Sequence, residues 1–143
     1  MRRIYLDASL LICLARGKGR EARKLFEELL DNPEVEFAAS DFLKLETLPK
    51  AVFNRQDEEA EFYTEFFEQV VAHHLEDPGS ILKPALEEAC HCGLSAMDAL
   101  HVVAAKALEA DELLTGEKPG RPLFRTKLVR VRSIRPGEDA SVS

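Results

Sequence analysis

Short apolar runs along this chain alternate with stretches whose apolar residues recur every three to four positions. The run Ile4-Tyr5-Leu6 breaks at Asp7, as a short buried strand would, and helix-like sequence follows at once in Leu10-Leu11-Ile12-Cys13-Leu14-Ala15. Between residues 20 and 30, Ala22, Leu25, Phe26, Leu29 and Leu30 take helical spacing. The turn sequence Asp31-Asn32-Pro33 leads into Val35-Glu36-Phe37-Ala38-Ala39-Ser40, a second strand, with Ser40 placed to cap a helix that begins at Asp41. A helix lying between two strands in this way is the crossover that joins parallel neighbours.

From residue 57 to 75 the pattern sets Phe62, Phe66, Val70 and Val71 on one helical face and Glu58, Glu59, Glu61, Glu65 and Glu68 mostly elsewhere. One helix is expected there, stopped by Pro78-Gly79. A further helix is expected from near Pro84 to near Gly93, and another from Ser95 that carries Met97, Leu100, Val103, Ala104 and Leu108. Glu112-Leu113-Leu114-Thr115 and Leu128-Val129-Arg130-Val131 are short strand candidates. Strands alternating with helices predict an α/β domain with a mainly parallel central sheet. The 143 residues suit one domain, with no repeat or linker dividing them, and only the stretch after Pro136 is expected to be loosely attached.

Composition narrows the class. Hydrophobic residues at 45% and charged residues at 31% describe a globular chain, not a disordered one. No apolar stretch approaches the ~20 residues needed to cross a bilayer. Asp7 interrupts the first apolar run, and Arg16-Gly17-Lys18 follows without a small-residue cleavage site, so a cytoplasmic protein without a membrane association is expected. Cys13, Cys90 and Cys92 are odd in number, and the last two are one residue apart, which suits reduced thiols. A net charge of −7 argues against a protein that coats nucleic acid by bulk electrostatics. Locally the balance reverses, because Arg121, Arg125, Lys127, Arg130, Arg132 and Arg135 follow one another with no acid among them.

Four carboxylates stand at junctions between elements: Asp7 after the first strand, Glu46 in the helix after the second, Asp98 in the first turn of the helix from Ser95, and Glu117 beyond the strand at 112–115. Each has a plain structural alternative. Asp7 can cap a helix, Ser95-Ala96-Met97-Asp98 has capping-box spacing, Glu46 alone reads as a solvated helix residue, and Gly116-Glu117-Lys118-Pro119-Gly120 as a polar loop. Gathered beyond the carboxyl ends of parallel strands, they would repel one another without a cation, and Mg²⁺ or Mn²⁺ takes such oxygen ligands with waters completing the shell. A bound ion of this kind turns water into a nucleophile for a phosphodiester, so phosphate cleavage is the reaction class this inventory serves best.

Other chemistries find less support. Cys90-His91-Cys92 lacks the spacing and the second pair of a zinc site, and His73-His74 has no complementary motif, so both are expected to be structural or surface residues. His101, three residues after Asp98, is expected to pack beside that acid or hydrogen-bond near it. There is no Gly-x-Ser-x-Gly elbow, phosphate-binding glycine loop or dinucleotide fingerprint. An aspartyl-phosphate enzyme would need a second Asp two residues after Asp7, where Ser9 stands.

In order and spacing, Ile4-Tyr5-Leu6-Asp7-Ala8-Ser9, the mid-chain Glu46, Leu94-Ser95-Ala96-Met97-Asp98-Ala99-Leu100-His101 and Leu113-Leu114-Thr115-Gly116-Glu117 together resemble the PIN-domain family. Its members are small metal-dependent ribonucleases and include the VapC-type toxins of toxin-antitoxin pairs. The resemblance implies a PIN-like three-layer α/β/α domain with a mainly parallel central sheet over residues 1–135, and a flexible tail over 136–143. It implies that Asp7, Glu46 and Asp98 bind Mg²⁺ or Mn²⁺, that Glu117 stands where the family commonly has a fourth acid, Asp, and that Ser9 and Thr115 support the site through their hydroxyls. It further implies an RNA substrate, a homodimer and a cognate antitoxin protein. The aromatic group Phe62, Tyr63, Phe66 and Phe67 is expected in the core, the alternative being that part of it forms a surface, with Leu10, Leu11 or nearby helical residues, for an antitoxin segment or a second copy. A PIN-like binding module without nuclease activity is the other functional reading, kept open by Glu117.

Overall fold

The computed structural model describes residues 1–135. Its five strands are β1 (Arg2–Leu6), β2 (Val35–Ala39), β3 (Val71–His74), β4 (Glu112–Thr115) and β5 (Arg130–Ser133), all parallel, in the order β3-β2-β1-β4-β5. The helices are α1 (Ala8–Ala15), α2 (Arg20–Asp31), α3 (Asp41–Phe53), α4 (Asp57–Glu65), α5 (Leu82–Cys92) and α6 (Ala96–Ala107). Alternation along β1 decides the layers: Ile4 and Leu6 pack with Leu11, Leu14, Phe26 and Phe66 on one face, while Tyr5 packs with Ala85, Val102 and Leu113 on the other. Apolar residues of α1, α2 and α4 cover the first face and those of α5 and α6 the second, which is the three-layer α/β/α arrangement that buries a parallel sheet on both sides. α3 starts at the carboxyl end of β2 and packs against α1, α4 and α6. The chain winds from β1 outward to β3 and then returns to the other side of β1 with β4, so the sheet's topological switch lies between β1 and β4.

One expected element is corrected. Residues 57–75 do not form a single helix: α4 ends at Glu65, a π-helical turn spans Phe66–Val70, and Val71–His74 is β3. The wide turn lets Phe66 and Phe67 both enter the core before the chain extends, and Val71 pairs with Phe37 of β2. Helical spacing of Phe62, Phe66 and Val70 is satisfied by either path, which is why periodicity could not see the change. The rings of Phe26, Phe37 and Phe66 meet with centroids 5.7 to 6.3 Å apart. Tyr63, Phe66 and Phe67 are core residues and Leu10 and Leu11 are buried, while Phe62 is half-buried and lines a cavity with Leu14, Phe26 and Leu30.

Smaller boundaries move as well. α5 begins at Leu82, with Pro84 in its first turn where the missing N–H costs nothing, and it ends on Gly93 with φ +66°. The last strand lies two residues later than the apolar run suggested, at Arg130–Ser133. Residues 136–143, the expected tail, lie outside the described residues.

At the amino edge of the sheet, buried Glu112 at the start of β4 accepts from Arg2 of β1 and from Arg132 of β5, the latter at 3.1 Å, and so ties three adjacent strands. The two arginine side chains stay 40% and 38% exposed, which places the clamp below a fully desolvated ion pair in strength. Glu112→Ala is expected to cost about 2 kcal/mol, the scale of a hydrogen bond to a charged group. Urea unfolding of the variant beside wild type measures it, and a loss within error of zero would contradict the clamp.

Candidate metal centre

Because all strands run parallel, the exits after β1, β2 and β4 lie along one edge. Asp7 leaves β1 there with only 6% of its surface exposed, its own N–H donating to Leu114 O of β4 at 3.0 Å. It caps α1: Oδ1 accepts from the Leu10 N–H at 3.1 Å and from the Ser9 hydroxyl at 2.8 Å. Thr115, at the end of β4, meets Ser9 Oγ at 3.3 Å, and its hydroxyl helps to lower the Asp7 carboxyl. The Gly116 N–H donates to Ser9 Oγ at 3.0 Å and the Glu117 N–H to Thr115 Oγ1 at 3.0 Å, so the β4 exit is laced to the start of α1. Gly116 permits that approach, since a Cβ there would sit 3.3 Å from Ser9 Oγ and 3.4 Å from Leu10 N.

Asp98 is the third residue of α6, whose cap Ser95 accepts from the Asp98 N–H at 3.2 Å, its hydroxyl also helping to lower the Asp98 carboxyl. Capping is therefore real at both Asp7 and Asp98, and it fixes these acids rather than competing with a role in the site. Glu46 lies in α3 with its Oε1 2.5 Å from His101 Nε2. His101 thus hydrogen-bonds Glu46, a residue 55 positions away, and not Asp98 on its own helix. Its other nitrogen, Nδ1, meets the Tyr5 hydroxyl at 2.8 Å, and Tyr5 meets Ser40 Oγ at 2.7 Å. Tyr5 and Ser40 had no site signal in the sequence beyond the cap role of Ser40.

The four acids share one electrostatic field. Burial raises the Asp98 carboxyl above its ordinary value, with Glu46 adding to it, and burial followed by the charges of Asp98 and Asp7 raises Glu117. Asp7 is raised as well, by burial, against the hydrogen bonds from Thr115, Leu10 and Ser9. Burial likewise pushes the Tyr5 phenol up, so it remains a protonated hydroxyl. Among the described residues no group of three or more His, Cys, Asp or Glu side chains is placed to hold a metal ion. In chemistry the donors nonetheless fit a hard divalent cation: carboxylates and hydroxyls, without a thiolate, whose mutual repulsion an ion would relieve.

Positive charge approaches from one side. Arg121 and Arg135 lower the Glu117 carboxyl, and Arg135 donates its Nε to Gly116 O at 2.6 Å. A cavity of about 480 Å³ opens beside Ser9 and Gly116 and is also lined by Arg16, Lys18 and Arg135. The 121–135 segment does not form one basic face, because Arg132 serves the Glu112 clamp and Arg125 donates to Cys92 O at 3.1 Å. His73 hydrogen-bonds Glu36 at 3.0 Å, Cys90 is exposed, and the Cys92 thiol donates to Glu88 at 3.4 Å. Among the described residues no helix is long and apolar enough to cross a membrane.

No protein-family model and no curated protein sequence matches the chain. Solved structures do. A chain of VapBC2 from Rickettsia felis bound to a promoter DNA fragment superposes with TM-score 0.70 at 14% identity over 92% of this chain and 98% of that one. DNA-bound VapBC from Salmonella typhimurium gives 0.69 at 16% over 94% and 100%, and FitAcB from Neisseria gonorrhoeae 0.63 at 17% over 92% and 97%. The chain therefore has the PIN-like α/β/α fold of these proteins, a likeness of fold at low identity.

The raised acids make a prediction about the metal-free protein. A folded-state carboxyl value above the unfolded one means that the fold holds protons the unfolded chain would release, so stability falls as pH rises from about 4 through the raised value. Asp7→Asn keeps an oxygen for Leu10 and removes the charge. In EDTA it is expected to melt at higher temperature than wild type near pH 7, and to lose that advantage as pH falls to about 4. Equal melting temperatures at both pH values, read by circular dichroism, would mean that Asp7 carries no such burden.

Proposed function

We propose that this chain is a Mg²⁺- or Mn²⁺-dependent ribonuclease that hydrolyses RNA phosphodiester bonds, and that it is the toxin of a toxin-antitoxin pair. The observation that carries this reading is the sharing of one field by acids from separate elements at the switch point of a parallel sheet. Asp7, Glu46 and Asp98 would hold the ion, and Glu117 would lend charge from the fourth position. When bound, the ion would supply an activated water and a counter-charge for the departing oxygen. Ser9 and Thr115 hold the Asp7 carboxylate in place. Arg16, Lys18 and Arg135 line the adjoining cavity and would receive phosphates, which the acids alone would repel.

An antitoxin partner and a cytoplasmic setting belong to the same reading, supported by the likeness to chains of VapBC and FitAcB complexes. A homodimer is supported by apolar side chains left bare on two helices: Leu45, Val52 and Phe53 of α3, the last 86% exposed, and Leu82 and Leu86 of α5. The reading as an inactive PIN-like binding module rests on Glu117 and on the finding that, among the described residues, no three His, Cys, Asp or Glu side chains are placed to hold a metal ion.

Purified protein is expected to cut RNA with Mg²⁺ or Mn²⁺ and to stop in EDTA. Asp7→Asn and Asp98→Asn should each slow cleavage by more than about 100-fold, beyond the ~10- to 100-fold typical of residues that only support a ligand. Wild-type rates in both variants would remove the proposed site, and no cleavage of any RNA would favour the binding module. For assembly, light scattering should give a dimer mass for wild type and a monomer mass for Phe53→Glu; a wild-type monomer at all concentrations would count against self-association.

A further inference from the structure

A buried chain of hydrogen bonds has one member from each of the three regions that carry Asp7, Glu46 and Asp98. Ser40 caps α3, which carries Glu46; Tyr5 lies on β1, two residues before Asp7; His101 lies on α6, three residues after Asp98. Ser40 Oγ to the Tyr5 hydroxyl is 2.7 Å, Tyr5 to His101 Nδ1 is 2.8 Å, and His101 Nε2 to Glu46 Oε1 is 2.5 Å. Tyr5, Ser40 and His101 are all buried, whereas the Glu46 side chain is 33% exposed.

The count of hydrogens gives the chain a direction. Ser40 Oγ accepts from the Leu43 N–H at 3.4 Å. If Ser40 then donates to Tyr5 and Tyr5 to His101 Nδ1, the imidazole carries its proton on Nε2 and donates it to Glu46, and every hydroxyl hydrogen has an acceptor. In the reverse direction Ser40 would accept from both Leu43 and Tyr5, and its own hydrogen would have no acceptor among these bonds in a buried place, a costly arrangement.

We infer that Tyr5 and His101 are positioning residues of the acidic site: His101, oriented through Tyr5 by Ser40, holds one oxygen of Glu46 with its Nε2–H and so presents the carboxylate in a single rotamer. Its functional consequence rests on the proposed metal-dependent activity. A glutamate one-third exposed samples several rotamers and must give that freedom up to join a metal shell. Fixing the rotamer beforehand removes that loss from the binding step. Packing alone would require neither the phenolic hydroxyl nor the two ring nitrogens, which is what separates this role from a core histidine.

Isothermal titration with Mn²⁺ on wild type, Tyr5→Phe, His101→Leu and His101→Gln tests the relay, with circular dichroism confirming that each variant is folded. Tyr5→Phe and His101→Leu are expected to weaken Mn²⁺ binding ~10- to 100-fold, as losses of ligand-orienting partners do. His101→Gln, which offers an amide N–H to Glu46 and a carbonyl to Tyr5, should recover most of it. Nitrogen-15 spectra of wild type should show the Nε2–H form of His101, with a resonance that moves in Glu46→Gln. Unchanged Mn²⁺ affinity in folded Tyr5→Phe and His101→Leu, or an Nδ1–H form, would overturn the relay. Failure of the metal-dependent reading is seen instead in wild type, as no Mn²⁺ binding and no RNA cleavage. The relay is then decided by the nitrogen-15 spectra alone.

Discussion

When five strands run parallel, every exit that follows a strand lies on one edge, and a sheet covered by helices on both faces leaves that edge as the open polar face. Asp7, Thr115 and the start of α3 are brought together by this directionality and not by nearness in sequence. The winding order then sets Asp7 and Glu117 just beyond the two strands that flank the switch point. Everything else at the site follows from having to hold like charges in that confined place.

Two sets of hydroxyls do the holding. Ser9 and Thr115 serve Asp7, with the Gly116 and Glu117 N–H groups fixing the hydroxyls in turn. On the other side of β1, Tyr5 and His101 reach Glu46. Helix caps double as supports, since Asp7 and Ser95 complete orphan N–H groups while fixing where the acids sit. Burial raises the carboxyls of Asp7, Asp98 and Glu117, with neighbouring acids adding to the last two, while the far end of the sheet holds the Glu112 clamp. Stabilising charge pairs and repelling charges thus occupy opposite ends of the same sheet.

Much of this was legible in the chain because caps and buried strands are written by near neighbours. Ile4-Tyr5-Leu6 before Asp7, Ser40 before Asp41, and Ser95 with Asp98 each reads within a few residues, and each is found in the structure as read. The segment from 57 to 75 is not legible as helix, turn and strand, because helical spacing of Phe62, Phe66 and Val70 survives a π-helical turn and the strand after it pairs with β2. The basic segment from 121 to 135 looked uniform, yet Arg125, Arg132 and Arg135 each take different tasks.

Local sequence sets the alternation of strands and helices, the caps, and the four acids at element junctions, since these depend on backbone preference and burial within a turn or two. It takes the folded chain to make His101 serve Glu46 and not Asp98, to join Tyr5 and Ser40 to that histidine, and to bring Gly116 so close to α1. A hydrogen bond is fixed by ångström-scale geometry between groups that may be 55 residues apart in the chain, and no pattern of residue types along it carries that distance.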